Sequence, residues 1–259
     1  MLYKISHTSA KPSHYNEEAK HYDAFTEKNS KPINHLIENI LKKYKVKTVL
    51  DLTCGTGSQV FWLAKRGYQV IGSDINSSML KIAKSKARKE KLDVKFLKGD
   101  MRSIKVGKFD AVISIFNAVG HLTKIDFEKA MQNIHENLKD DGLYIFDIFN
   151  LSYLIKDNYI TNLTFDRQEI TGNMTIREIQ YSTIDKDGIL ASYTTFFVQT
   201  GSTKAKISRS AQTLQVYTAE QLREMLHRNG FKVLRQCGID GSRFAKNKTD
   251  RIVTIAKKQ

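Results

Sequence analysis

The residues of this chain best placed to do chemistry are carboxylates that close short β-branched runs. In Val49-Leu50-Asp51-Leu52-Thr53-Cys54-Gly55-Thr56-Gly57-Ser58, an acid ends a buried-strand pattern and a glycine-containing turn leads into a helical one. Glycines such as Gly55 and Gly57 let the backbone pass close to a ligand. In a dinucleotide-binding loop the third fingerprint position is small, but here it is Val60, and the charge on Asp51 would repel a diphosphate. A cationic ligand suits this loop better. Asp74 closes the next strand pattern, where an acid about 20 residues beyond the loop accepts hydrogen bonds from ribose hydroxyls; its alternative use is to cap the helix opening at Asn76-Ser77. Asp100, in Gly99-Asp100-Met101-Arg102, is placed to meet the exocyclic amine of an adenine, with Met101 against the ring face. His121 has the side-chain type whose ordinary pKa suits proton transfer near neutrality, although a histidine beginning a helix can also serve only its backbone.

The elements that must position these residues follow from hydrophobic period. Strands are expected at Thr48–Leu52, Gln69–Asp74, Val94–Lys98, Phe109–Ile115 and Leu143–Phe149, with helices between them at about 58–66, 77–90 and 125–138. The last of these should end at Asp141-Gly142 with the glycine as a left-handed cap. Two helical patterns precede the first strand, Tyr15–Phe25 and Ile33–Tyr44. After residue 157 the period becomes two, in segments near 162–170, 174–184, 189–199 and 205–216, with Asp187-Gly188 as a hairpin turn. A capping box, Thr218 with Gln221, opens a helix over 219–229 that Asn229-Gly230 ends, before strands at Phe231–Leu234 and Arg251–Ala256. The implied fold is α/β: a Rossmann-like seven-stranded sheet with helices on both faces and an antiparallel β insertion. Residues 1–45 then form a helical lid and a packing helix, 46–157 with 217–259 the ligand-binding domain, and 158–216 the insertion.

Composition narrows the class without deciding it. The 259 residues include 42 Lys and Arg against 27 Asp and Glu, a formal charge of +15. Lysines are spread throughout and are densest at Lys81, Lys84, Lys86, Arg88, Lys89 and Lys91, which reads as a solvated helix face, with a phosphate-bearing substrate as the alternative. No segment approaches the roughly 20 apolar residues of a membrane span, and the first residues lack a signal-peptide core, so a cytoplasmic protein that does not enter membranes is expected. Cys54 and Cys237 show no metal-ligand spacing; neither a disulfide nor a metal site is expected.

Together with Phe109-Asp110-Ala111-Val112 and Leu138-Lys139-Asp140-Asp141-Gly142-Leu143, these motifs resemble, in their order, the class I S-adenosylmethionine-dependent methyltransferases, over about residues 15–150 and again over 217–257. The resemblance implies S-adenosylmethionine as cofactor, whose sulfonium and ammonium fit the acid beside the loop. It adds Thr53, Ile75, Met79 and Phe116 to the cofactor side. It also implies that Tyr22 closes over the donor and that Lys31, or in its place Lys28, meets the donor carboxylate. The stretch Ser114-Ile115-Phe116-Asn117-Ala118-Val119-Gly120-His121-Leu122 is similar to that of two small-molecule groups, the aminosugar N,N-dimethyltransferases and the glycine N-methyltransferases. This makes Asn117 and His121 the candidate catalytic pair and the antiparallel insertion a cover for the acceptor. Asp147-Ile148-Phe149-Asn150 lacks the arginine with which the glycine enzymes hold their carboxylate, so glycine is not expected as acceptor. Phe116-Asn117-Ala118-Val119 departs from the Asn-or-Asp, Pro, Pro, aromatic pattern of nucleic-acid amino-methylating enzymes, so nucleic acid is not expected either. The implied partner is a small amine, phosphate-bearing or nucleotide-linked as one form, acted on by a monomer or homodimer. A small-molecule O-methyltransferase, a Rossmann-type oxidoreductase and a non-catalytic cofactor-binding protein are the competing readings.

Overall fold

The computed structural model describes residues 6–13, 15, 16, 19 and 22–259. In chain order the elements are α1 (Tyr22–Lys43), β1 (Thr48–Asp51), α2 (Ser58–Ala64), β2 (Gln69–Asp74), α3 (Ser77–Lys89), β3 (Lys95–Lys98), β4 (Phe109–Ser114), α4 (Lys124–Asn137) and β5 (Leu138–Phe149). Two short helices, α5 (Leu151–Leu154) and α6 (Tyr159–Asn162), lead to β6 (Thr164–Thr171), β7 (Met174–Ile184), β8 (Ile189–Thr200) and β9 (Lys206–Gln215). The chain closes with α7 (Ala219–Arg228), β10 (Phe231–Cys237) and β11 (Arg251–Lys258).

Seven strands form one sheet in the order β10-β11-β5-β4-β1-β2-β3. β1 to β5 pair in parallel, and β11 lies antiparallel between β5 and β10. Because side chains alternate along a strand, each central strand feeds two cores. Leu50, Val112, Tyr144, Phe146 and Ile148 meet α4 and α7 on one face, whereas Val49, Ala111, Ile113, Leu143 and Ile145 meet α1, α2 and α3 on the other. The strand order reverses between β1 and β4, so the loops after these two strands flank a crevice at the carboxyl end of the sheet. A second sheet, β6-β7-β8-β9, is antiparallel throughout. Gly120 lets the turn after β4 press against it, since a Cβ there would lie 3.1 Å from the Gln215 carbonyl oxygen.

Three local expectations are corrected. Only the end of the first N-terminal helical pattern, from Tyr22, is helical, and it runs on into the second as one helix, α1, which includes Pro32. Proline removes one donor from the ladder, and the buried stripe of Ile33, Leu36, Ile37, Ile40 and Leu41 holds the helix together. Tyr15, Asn16 and Ala19 lie in turns instead, because the Tyr15 hydroxyl is engaged by His121 and the Asn16 side chain accepts from Asn76 and Ser78. Residues 17, 18, 20 and 21 of the first pattern lie outside the described residues. After α4, the left-handed position is Asp141 at φ 62°, not Gly142. Gly142 is needed for close approach, since a Cβ there would stand 2.9 Å from the Lys139 carbonyl oxygen. The fifth strand accordingly begins at Leu138, which pairs with Phe109 before an irregularity brings Leu143 opposite Ala111.

Candidate active site

The loop after β1 is held by the strand beside it. Thr53 N–H donates to Asp51 Oδ1 (3.1 Å), and Gly55 N–H donates to Asp74 Oδ2 (2.8 Å) at the end of β2. Gly57 caps α2 at φ 97°, and a Cβ there would fall 2.5 Å from the Phe61 ring, so only glycine fits. Asp74 is not the cap of α3. Its Oδ1 accepts from Asn76 N–H (2.8 Å), and it is Asn76 that caps the helix through Met79 N–H (2.9 Å). Burial raises the Asp74 carboxyl above its ordinary range, against hydrogen bonds from Asn76 and Gly55 that lower it. Burial pushes Asp51 up to about 8, and the neighbouring charge of Asp74 adds to that effect. Asp51 Oδ2 and Thr53 Oγ1 are buried without a hydrogen-bond partner among the described residues.

A cavity opens where these loops converge. Of the residues expected from the sequence, Tyr22, Thr53, Gly55, Asp74, Ile75, Met79, Asp100, Met101, Phe116 and His121 line it. Asp51 lies fully buried at the base of the loop and Gly57 starts the helix behind it. Lys31 is exposed on α1 and is not part of this wall, and the Lys28 side chain lies outside the described ones. Asn117 lines a second cavity instead. Burial and the charges of Asp74 and Asp147 push the Tyr22 phenol up to about 12.

Arg102, Tyr15, Asp147 and Arg251 complete the site, and none of them was singled out from the sequence. Arg102 forks onto Asp100 (Nε to Oδ1 2.9 Å, Nη2 to Oδ2 2.5 Å) and reaches Asp126 through Nη1 (2.6 Å). Burial would raise the Asp100 carboxyl, but these contacts hold it below its ordinary range. Phe116 and Asn117 both adopt left-handed backbone, at φ 66° and 58°, a costly pair for residues with side chains. Asp147, fully buried on β5, holds them by accepting from Phe116 N–H (2.6 Å) and Asn117 N–H (3.3 Å). The Asn117 side chain in turn accepts from Phe149 N–H (3.0 Å). Arg251 stands 3.5 Å from Asp147 and over the Phe149 ring. Burial raises the Asp147 carboxyl and the Arg251 charge opposes this.

His121 ends the short 3-10 turn Ala118–His121 rather than beginning a helix. Its Nε2 lies 2.6 Å from the Tyr15 hydroxyl, and its carbonyl accepts from Ala10 N–H (2.8 Å). Residues 7–13, 15 and 16 thereby cross the carboxyl ends of the strands as a strap. His7 reaches Thr213 (2.8 Å) and the Leu122 carbonyl (3.1 Å), Ser9 donates to Asp126 (2.6 Å), and Asn76 donates to the Pro12 carbonyl (2.9 Å). Tyr15, Phe116 and His121 also line the second cavity, of about 320 Å³, whose other wall is the antiparallel sheet. Among the described residues no group of three or more His, Cys, Asp or Glu could hold a metal ion, and no helix is long and apolar enough to cross a membrane.

Residues 49–142 match a family model described as a methyltransferase domain. The chain is 25% identical to the dTDP-3-amino-3,4,6-trideoxy-alpha-D-glucopyranose N,N-dimethyltransferase of Streptomyces venezuelae, over 71% of this chain and 78% of that one. An S-adenosylmethionine-dependent methyltransferase from Clostridium acetobutylicum superposes with a TM-score of 0.78 at 21% identity, covering 94% of this chain and 98% of the other. The S-adenosylmethionine-bound amino pentose methyltransferase CalS10 of Micromonospora echinaspora superposes with a TM-score of 0.74 at 18% identity, covering 92% and 96%. The glycine loop, the acids that end β1 and β2, the seven-stranded sheet and the matched domain agree: residues 49–142 form a methyltransferase domain, within a chain that has the fold of the S-adenosylmethionine-dependent methyltransferases.

Proposed function

We propose that the protein methylates the nitrogen of a small amine held in the second cavity. The observation that carries this reading is the wall shared by the two cavities, formed by Tyr15, Phe116 and His121. An acceptor on one side of that wall lies next to a donor on the other. The first cavity suits the donor, because buried Asp51 Oδ2 and Thr53 Oγ1 lack partners among the described residues and the raised Asp51 pKa marks a place where a cation would be welcome. When bound, S-adenosylmethionine supplies a methyl group activated by its positively charged sulfur.

The chain's own residues then have the following roles. Asp74 accepts from the ribose hydroxyls, and Asp100, oriented by Arg102, faces the adenine amine. Met101 and Phe116 bound the base, Gly55 and Gly57 bring the loop backbone close, and Tyr22, Ile75 and Met79 close the remaining sides. Lys31 has no part in this arrangement. At the acceptor side the cavity would hold an amine with its lone pair free to take that methyl group, the electron pair of the broken carbon–sulfur bond staying with sulfur. An amine that arrives as ammonium first gives its proton to His121, which Tyr15 holds in place. Asn117 sets the turn that carries Phe116 and His121. Most of the acceleration comes from position and exclusion of water.

In this proposal residues 1–45 provide the strap and packing helix, 46–157 with 217–259 bind the donor, and 158–216 cover the acceptor. Release of S-adenosylhomocysteine from a panel of amines, aminosugars, phenols and short RNAs tests the reading. Turnover of amines is expected. Turnover confined to phenols or to RNA would overturn it.

A further inference from the structure

The second cavity has a wall chemistry that selects among amines. Strand register places Ser182 opposite Ser192 and Ser192 opposite Gln212, so one row of hydroxyl and amide groups crosses three strands. Gln180 and Thr194 form the next row. All but Thr194 line the cavity. The opposing wall is aromatic, with Phe116, Phe149, Tyr153 and Tyr159. One side therefore offers donors and acceptors of hydrogen bonds and the other offers ring faces, which suit C–H surfaces and ammonium groups.

Charge is the second selector. Among the described residues, Asp250 and His121 are the only titratable side chains in the lining besides tyrosines; no lysine or arginine is there. The basic side chains nearby are committed elsewhere. Arg167, on β6 one row beyond Gln180, is bound by Glu178 through Nε at 2.6 Å, and Arg251 pairs with Asp147. The densest lysines face away from this cavity, for Lys81, Lys84, Arg88 and Lys98 line a separate shallow hollow beside Leu80. A phosphate or diphosphate needs cationic or multiple N–H donors in fixed geometry. This cavity offers it a carboxylate.

Resting on the amine reading above, we propose that the acceptor is an unphosphorylated, polyhydroxylated amine whose further positive charge pairs with Asp250. The hydroxyl groups meet the Ser182–Ser192–Gln212 row, the ring carbons lie on the aromatic wall, and the attacked nitrogen reaches His121. Asp250 is exposed and has no ion-pair partner among the described residues; its Oδ1 accepts only from the Arg251 N–H, at 2.7 Å. It is thus a specificity residue at the cavity rim and plays no part in donor binding.

The test pairs unphosphorylated probes (kanamycin, D-glucosamine) with phosphorylated ones (glucosamine 6-phosphate, an aminohexose nucleoside diphosphate). It follows turnover by release of S-adenosylhomocysteine and binding by thermal shift in the presence of that product. An unphosphorylated probe is expected to bind and turn over at least tenfold better in kcat/KM. Asp250→Asn should raise KM for kanamycin several-fold, and Asp250→Lys at least tenfold, with kcat and the Kd for S-adenosylhomocysteine unchanged. Preference for the phosphorylated probes, or an Asp250→Lys enzyme that keeps its KM, overturns this proposal and leaves the amine reading standing. Phenol turnover with no response to any amine overturns the amine reading itself, and a panel that neither binds nor reacts overturns both.

Discussion

The Asp51 carboxyl links folding and donor binding with opposite signs. Its pKa in the folded chain, about 8, lies above the ordinary carboxylate value, so between roughly pH 4 and 8 the folded state keeps a proton that the unfolded state has released. Stability from this group is therefore full below the unfolded pKa and falls as pH rises through the folded one. Asp51→Asn should raise Tm at pH 9, by about 2–4 °C per kcal/mol recovered, and leave Tm at pH 4 nearly unchanged. The same substitution should weaken S-adenosylmethionine binding by about tenfold or more, since a cation loses its countercharge. Calorimetry at pH 7 and 9 with both proteins decides this, and equal donor affinity would remove Asp51 from the site. His121 gives a second test. His121→Asn should lower kcat at pH 7 by about 10²- to 10⁴-fold, the range for a lost proton acceptor. Activity should recover as pH approaches the acceptor's own amine pKa, a recovery that an alcohol acceptor could not show. Tyr15→Phe removes the 2.6 Å contact to His121 and should cost less.

The element under most strain is the turn after β4. Asn117→Ala would keep the φ of 58° while removing the acceptor for the part-buried Phe149 N–H, and should cost about 2–4 kcal/mol from those two sources together. A urea titration measures it, and a loss below 1 kcal/mol would show that the turn carries little strain. This turn also marks the limit of what the sequence could tell. The acid-then-glycine pattern at Asp51–Gly57 and the acid at Asp74 were legible because each lies on one short segment with a clear strand period. Asp147 was legible as an acid in an apolar run, but its task was not, since Phe116 from the turn after β4 and Arg251 from β11 reach it only in the folded sheet. Tyr15 was misplaced for a related reason: its neighbours carry a helical pattern, whereas bonds to His121 and Asn76 pin the chain across the pocket. Arg102 sat inside a motif already read, and only its fork onto Asp100 and Asp126 shows its use.

Across the whole molecule, the +15 charge and the cavity that lacks lysine and arginine among its described residues are separate facts with a joint kinetic consequence. A cationic acceptor approaches a like-charged body, so its kcat/KM should rise a few-fold as salt is raised from about 20 to 200 mM, as the field is screened over a shorter distance. A fall with salt, measured under the same conditions, would point to an anionic acceptor. The two sheets also differ in how much they bury. Strands β1, β4 and β5 lie within both cores, whereas every residue of β6 is exposed. Amide hydrogen exchange should therefore be slowest in the central strands and fast in β6 and the adjoining half of β7. On the proposed reading, the acceptor's side of the site would open and close in local fluctuations that leave the donor's side protected, so that the enzyme would try different acceptors without releasing its donor.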